Sequence, residues 1–598
     1  MAFCIASTTR IISSISVCQN SRVLLISKRP SRRISVQKRV QCIASPELNA
    51  STAARRSGNY LPCIWDEDHL LSLTNEYTED KYRKKIEKLK EELMVMINNV
   101  KKDNPLHQLE LVDNLQRLGL GYHFENEINN ILNGVHSNSD DKWKKENLYA
   151  TSLEFRLLRQ HNYNITEEVF NNFKDTTGSF KECLRDDIKA MLALYEASYH
   201  GFDGENVMEE AWQFTSKYLK EVDTKDIDQN MALQVKHAMN LPIHWWIPRV
   251  DTRWFIDFYE RLEKKDHRLL ELAKLEYNIV QGIHMEDLKE MTRWWKNSGL
   301  AEKLTFARSR IVTSFLWGMG MASEPQFSYT RKMLTIAVAL ITAIDDFYDV
   351  YGTLPEVELF TDAIQRWEIN AMEQLPHYIK ICFLQHYNYV NEMVYHILKE
   401  QDVDVLQILR KSWAGSFQAY MKEAQWYHSQ YKPTLEEYMK NAWISITGPT
   451  MTLVAYLSSK NPITEKELEY LQSQPDLVYW ASMVFRIQDD MGTSSDEVAR
   501  GDVPKSVQCY MNDTNCSEDA SREHMNHLMR QMWKKINFYG ADKDCPLPKS
   551  TKEMILNLVR TSHCVYLRGD GHGIEGQEIK DALSSLFFQS IPLSERSM

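Results

Sequence analysis

From Tyr60 onward, apolar residues recur at three- and four-residue spacing with charged residues between them, and almost nothing alternates with the two-residue period of a strand. The segments Glu79 to Asn99, Leu106 to Leu118, Lys181 to Ala197 and Arg253 to Lys264 each carry one apolar stripe and are expected to be helices. Breaker clusters punctuate this pattern at Asn133 to Asp141 and at Gly201-Phe202-Asp203-Gly204. An all-α protein follows, and no fixed-period repeat marks a helical scaffold. One run, Met333 to Ile344, is apolar on nearly every side and reads as a buried helix. A fresh apolar helix at Leu269 after the charged Glu263-Lys264-Lys265-Asp266-His267 places a domain boundary near residue 265.

Composition bounds what these helices build. A chain of 598 residues, 43% hydrophobic and 26% charged, exceeds one ordinary core, and no apolar run reaches the ~18 residues of a membrane span. Residues 1–54 differ from the rest: they hold eight Arg and Lys, many serines and Glu47 as the only acid. That is the composition of an organellar transit peptide, the alternative being a disordered basic tail that binds something anionic, and a reducing compartment such as a stroma or cytosol fits the cysteines. The whole chain nonetheless carries a formal charge of −11, a poor balance for binding nucleic acid. Ten cysteines are scattered without zinc spacing, which argues against structural zinc and against a disulfide scaffold.

The chemistry begins where the buried helix ends in charge, at Asp345-Asp346-Phe347-Tyr348-Asp349. Helical spacing puts Asp345 and Asp349 one turn apart on one face, with Asp346 beside them. Carboxylates crowded at the mouth of a buried element repel one another and resist desolvation unless a cation joins them. Hard divalent cations take oxygen ligands and hold substrate phosphates, so a metal-diphosphate site is the natural reading. A second acidic site follows at Asp489, Thr493 and Glu497, which form one column on a helix. Two carboxylates and a hydroxyl suit an octahedral cation that keeps some of its waters.

Cationic residues accompany both sites: Arg308 and Arg310 before the first, Arg486 and Lys505 around the second. Arg offers forked donors to phosphate oxygens and Lys a mobile point charge. Between the sites a helix opens at the capping box Thr434-Leu435-Glu436-Glu437 and meets Gly448-Pro449, where a kink is expected to free the carbonyl of Ser445. Such an oxygen stabilises positive charge, as do aromatic faces, which draws attention to Trp317, Phe347, Trp443, Phe485 and Tyr566.

Taken together these residues resemble the plant terpene synthases, specifically the monoterpene synthases of angiosperms. The resemblance rests on Arg55-Arg56 followed after eight residues by Trp65, on Arg308 and Arg310, on DDxxD at 345–349 and on DDxxTxxxE at 489–497. It implies an N-terminal α-helical barrel over 55–265 without a site of its own, and a C-terminal catalytic α-bundle over 266–598. It also implies a lyase that uses three Mg²⁺ ions, or Mn²⁺, to ionise geranyl diphosphate, isomerise it and release a C10 terpene and diphosphate. Asp345 and Asp349, with Asp346 supporting, would hold two ions, and Asp489, Thr493 and Glu497 the third. Arg308, Arg310, Arg486 and Lys505 would grip the diphosphate; Trp317 and Tyr566 would line the pocket; His572 would stand near the last proton transfer; Arg55, Arg56 and Trp65 would form a lid. A monomer or homodimer is expected.

The sequence departs from the family pattern in places. Ser309 replaces the acid usual between the two arginines, which leaves their orientation unexplained. Phe347 stands where an aliphatic residue is usual and is expected to reshape the pocket wall. Members that make isoprene resemble one another in a pair of narrowing phenylalanines; this chain has Phe485 at one position but Val338 at the other, which favours a C10 over a C5 substrate. The alternatives are a sesquiterpene or hemiterpene synthase sharing the fold, a chain-elongating prenyltransferase, whose second site would normally be another DDxxD, and a non-catalytic helical scaffold.

Overall fold

The structure, a computed structural model, describes residues 55–100, 104–137, 144–223, 225 and 227–593. The transit peptide expected at 1–54 therefore lies outside the described residues, as does the end of the breaker cluster at 138–141. Among the described residues the secondary structure is helical, with no strand and one isolated bridge between Lys174 and Phe180.

Local chemistry sets where helices start and stop. Asn104 accepts from the His107 amide at 3.1 Å and Pro105 occupies the first turn of helix Pro105–Arg117, whose Leu109, Val112 and Leu115 are buried. The expected helix from Lys181 to Ala197 divides instead. Asp187 accepts from the Ala190 amide at 3.0 Å and starts helix Ile188–Ser198, leaving only a short 3₁₀ turn over Glu182–Asp186 before it. The breaker expected at Asn133-Gly134 does not break: helix Glu125–Ser137 runs through it. Burial of Ile128, Ile131, Leu132 and Val135 on one face outweighs the ~1 kcal/mol that a mid-helix glycine costs.

The described residues from Arg55 onward form one compact unit built on several hydrophobic clusters. One gathers helices Asp80–Asn98, Pro105–Arg117, Glu125–Ser137 and Pro248–Arg261. The largest gathers Ile311–Met321, Ser328–Asp346, Leu354–Arg366, His377–Gln401 and Leu406–Ser429. Helix His267–Ser298, capped by Asp266, belongs to both: Leu269 to Tyr277 pack in the first cluster, and Leu288, Met291 and Trp295 in the second. Core membership thus changes inside this ~48 Å helix, whereas the boundary expected at 265 falls in the connection before it. The chain ends also cross over. Ile591 exchanges two hydrogen bonds with Asn278 in the first region, while Trp65 and Leu70 pack into the largest cluster of the second.

Close helix contacts there depend on small residues and one buried ion pair. A Cβ on Gly318 would meet the Arg331 carbonyl oxygen at 2.5 Å, so glycine lets helices Ile311–Met321 and Ser328–Asp346 approach. The Arg331 guanidinium, fully buried, pairs with Asp287 at 2.8 Å and donates to the carbonyls of Ala322 and Glu324. Removing either partner would strand a buried charge.

Candidate active site

Helix Ser328–Asp346 passes directly into a π-turn, Phe347–Tyr351, and ends at Gly352. The wider turn changes which side chains face inward. Asp345 and Asp349 line a cavity of about 100 Å³, while Asp346 is fully buried behind them. There Asp346 accepts from the Arg308 backbone amide at 2.7 Å and from its Nε at 2.9 Å. Arg308 Nη2 then reaches Asp345 at 2.8 Å. The structure therefore makes Asp346 the anchor of Arg308 rather than part of the cavity wall. It also answers the loss of the acid at Ser309: Asp346 supplies the orientation, and Ser309 Oγ accepts from Trp295 Nε1 at 2.9 Å.

Helix Asp476–Arg500 forms the opposite wall with regular geometry. Asp489, Thr493 and Glu497 all line the cavity, and Thr493 Oγ1 donates to the Asp489 carbonyl. Asp490 repeats the role of Asp346: fully buried, it pairs with Arg486 at 2.6 Å and accepts from Tyr438 Oη and the Ser506 amide, each at 3.0 Å. Arg486 also pairs with Asp489. Lys505 bridges the walls, 3.5 Å from Asp349 and 3.1 Å from Glu423.

These placements perturb the acids and bases. Burial, with Asp349 close by, pushes the Asp345 carboxyl up to about 7 against the pull of Arg308. Burial pushes Glu497 up to about 7 against the pull of Lys505, and its Oε2 has no hydrogen-bond partner. Burial alone would lower Arg308, Arg486 and Lys505, but Asp346, Asp490 and Asp349 respectively outweigh it and hold all three well above their usual values. His572 is pushed down to about 3 by burial and then by Arg308 and Arg310, so its imidazole is neutral.

The remaining wall is apolar and aromatic: Trp317, Phe485 and Tyr566 line the cavity, with Trp317 4.9 Å from Phe485 and 6.2 Å from Tyr566. A Cβ on Gly492 would meet the Tyr566 ring at 2.7 Å, so only glycine lets that ring lie against the acidic helix. Near Gly448 the expected kink is a complete break. Helix Leu435–Ser445 ends, Thr447 takes a left-handed conformation at φ +65°, and Pro449 sits in the first turn of a new helix, Gly448–Ser458. Proline there lacks only an amide that would have no helical partner anyway. A β-branched residue in that region costs about 1–3 kcal/mol, and here it turns Ser445, Ile446 and Thr447 into cavity lining.

Three expectations move away from the cavity, and the lid residue Trp65 packs into the largest hydrophobic cluster. Phe347 is fully buried against Tyr348, Phe360 and Tyr378, because the π-turn points it into the core behind the wall. Trp443 packs against Tyr479 in a separate cluster. Arg310 is buried with its guanidinium spent on the carbonyls of Gly573, Leu61 and Ser309. Trp65 packs edge-on against Phe588 at 5.7 Å.

The segment 55–66 is a strap across the cavity mouth. Arg55 pairs with Glu356 at 2.7 Å and donates to the Tyr351 carbonyl; Arg56 donates to the Asp349 carbonyl at 2.6 Å and pairs with Asp502. Arg55 thus grips the end of the first acidic wall, and Arg56 spans the ends of both. Sequence reasoning missed Tyr60, Tyr420, Arg500 and Asp570, which also line the cavity. Arg500 extends the column of the second acidic helix, three residues after Glu497, and helical spacing could have found it; Tyr60, Tyr420 and Asp570 come from other segments and carry no spacing signal.

Among the described residues no three His, Cys, Asp or Glu side chains gather closely enough to hold an ion alone. The donor set still fits a hard cation completed by waters and phosphate: two carboxylates on one wall, two and a hydroxyl on the other, one carboxylate oxygen without a partner.

Comparison with known proteins agrees with this architecture. Residues 64–239 match the model of the terpene synthase N-terminal domain, and residues 296–535 that of the terpene synthase family metal-binding domain. A chloroplastic myrcene synthase of Quercus ilex is 48% identical over 586 residues, 98% of each chain. A limonene synthase crystal structure with 2-fluorolinalyl diphosphate superposes with a TM-score of 0.87 at 41% identity, covering 90% of this chain and all of that one. Isoprene synthase from grey poplar leaves, solved with three Mg²⁺ ions and dimethylallyl-S-thiolodiphosphate, gives 0.82 at 41% identity, covering 88% and 99%. A helical protein with an acid-walled cavity closed by a basic strap is thus defined. The chain belongs to the terpene synthase family.

Proposed function

We propose that the protein is a monoterpene synthase of the plastid, which ionises geranyl diphosphate and releases a C10 terpene with diphosphate. The carrying observation is that Asp345 and Asp349, Asp489, Thr493 and Glu497, four cationic side chains and an aromatic wall meet in one cavity. The same five oxygen-bearing residues would hold Mg²⁺, or Mn²⁺ in its place. Bound metal would neutralise charge on the leaving diphosphate.

Arg308, Arg486 and Lys505, each fixed by a buried acid, present donors to the phosphoryl oxygens without reorganising during the reaction. The strap, which must lift for entry, excludes water once closed and keeps the allylic cation from early capture. Trp317, Phe485 and Tyr566 offer ring faces to that cation. Thr342 Oγ1 donates to the Val338 carbonyl, so it accepts from His572 Nε2–H and leaves His572 Nδ1 unprotonated. A neutral base therefore lines the cavity for the closing proton loss. Val338, also in the wall, is smaller than the narrowing phenylalanine of isoprene-forming members, which favours a C10 over a C5 chain. The plastid assignment is supported by the composition of 1–54 and by the chloroplastic relative.

The test is product analysis. Purified protein given geranyl diphosphate and Mg²⁺ is expected to yield volatile C10 products by gas chromatography. Absence of product from geranyl diphosphate, alongside turnover of a C5 or C15 diphosphate, would reassign the substrate; no product from any of them overturns the reading.

A further inference from the structure

The strap 55–66 contributes a single side chain to the cavity wall, Tyr60. Its backbone is pinned on both sides. Arg56 holds the Asp349 carbonyl at 2.6 Å on one side, and on the other the Leu61 carbonyl accepts from Arg310 at 2.8 Å and the Ile64 amide donates to Glu575 at 3.2 Å. The Tyr60 ring lies 4.8 Å from the Arg308 guanidinium and 5.9 Å from that of Arg500, and Arg500 is itself held by Asp502. A Cβ on Gly58 would meet the Tyr60 ring at 2.3 Å, so the strap folds tightly onto the ring at this point.

The ring occupies the charged end of the cavity rather than its aromatic end. The volume left, about 100 Å³, falls below the ~300 Å³ at which ligand pockets begin, so substrate entry displaces the strap and its tyrosine. When the strap closes again, Tyr60 returns between two guanidinium groups that phosphoryl oxygens would also seek. Arg308, Asp346 and Arg500 are the charges facing its hydroxyl, and burial with Asp346 holds the phenol well above its usual value, so it stays a donor at any working pH.

We infer that Tyr60 is a substrate-contacting residue, donating its phenolic O–H to the diphosphate between Arg308 and Arg500 and holding the leaving group once it has separated. This rests on the reading of the cavity as a prenyl diphosphate site. It gives the strap a direct hold on the leaving group in addition to its shielding of the site. Loss of that hold weakens every state in which diphosphate is in the cavity and leaves states without it untouched.

Two variants separate the hydroxyl from the ring. Tyr60→Phe keeps the ring over Arg308 and loses only the donor; Tyr60→Ala loses both. Calorimetry of the full chain with Mg²⁺ and inorganic diphosphate is expected to show binding about tenfold weaker in Tyr60→Phe, the worth of one hydrogen bond to a charged group. The kcat/KM for geranyl diphosphate should fall similarly. Inhibition by geraniol, which has the C10 chain without diphosphate, should be unchanged. Wild-type diphosphate affinity in Tyr60→Phe overturns the inference, and so does an equal loss of geraniol affinity, which would mean that Tyr60 only shapes the pocket. If wild type converts geranyl diphosphate but Tyr60→Phe is unaltered, only this inference falls; if wild type neither binds diphosphate nor turns over any prenyl diphosphate, the function proposed above falls with it.

Discussion

The two acidic walls use the same pair of aspartates in different backbones. In the first the pair ends an α-helix that widens into a π-turn; in the second it sits within a continuous helix. Yet in both the first aspartate faces the cavity and the second is fully buried, holding an arginine that reaches back to the first. Asp346 with Arg308 and Asp490 with Arg486 are thus equivalent pairs. The pattern teaches that a DD motif in this molecule is one site residue and one buried anchor. Repulsion explains the division: two adjacent carboxylates in one cavity would raise each other's pKa, whereas one turned inward against a guanidinium is stabilised.

The comparison breaks most sharply on activity. Asp345→Ala removes a cavity-facing oxygen donor and should lower kcat on the order of a thousandfold by product chromatography, with no loss of folded stability. Asp490→Ala should instead strand Arg486 and cost about 3 kcal/mol in denaturant unfolding. If the two variants exchange these phenotypes, the assignment of site residue and anchor is wrong.

A smaller effect concerns pH. The Asp345 carboxyl is raised to about 7 in the folded state, so its stabilising contribution is complete below its ordinary value near 4 and is lost as pH rises through about 7. In EDTA, Asp345→Asn should therefore melt above wild type at pH 8, and the gap should close as pH falls from 7 towards 4. His386 runs the other way. Burial among Trp367, Trp413 and Phe417 pushes it down to about 3, so its contribution is present above 6.5 and is lost as pH falls towards 3. His386→Leu should flatten the acid limb of the stability curve measured by thermal melting.

The smallest expected effect tests the wall itself. Phe347→Leu, behind the first wall, should cost about 1 kcal/mol and leave the product profile unchanged. A changed profile would return Phe347 to the pocket.

Much of the site was legible because its signals are local. Spacing of three and four placed Asp345 with Asp349 and Asp489 with Thr493 and Glu497, and helix geometry carried those spacings into the structure with little change. Caps were readable too, as at Thr434, where Glu437 returns the bond to the Thr434 amide at 3.0 Å. What failed was orientation. Spacing could not tell that a π-turn would bury Phe347, or that the guanidinium of Arg310 would be spent on the carbonyls of Leu61 and Gly573. Tyr60, Tyr420 and Asp570 carry no motif because their proximity depends on chain segments that meet only after folding.

The sequence by itself determined the helical class, the acidic columns and the cationic residues that accompany them, since each depends on periodicity within a few turns. The tertiary structure alone decided which aspartate of each pair faces the cavity, which residues close its mouth, and where core membership changes along helix His267–Ser298. Those outcomes depend on partners hundreds of residues apart, such as Arg56 with Asp349 and Asn278 with Ile591, and burial and charge pairing between them have no trace in local spacing.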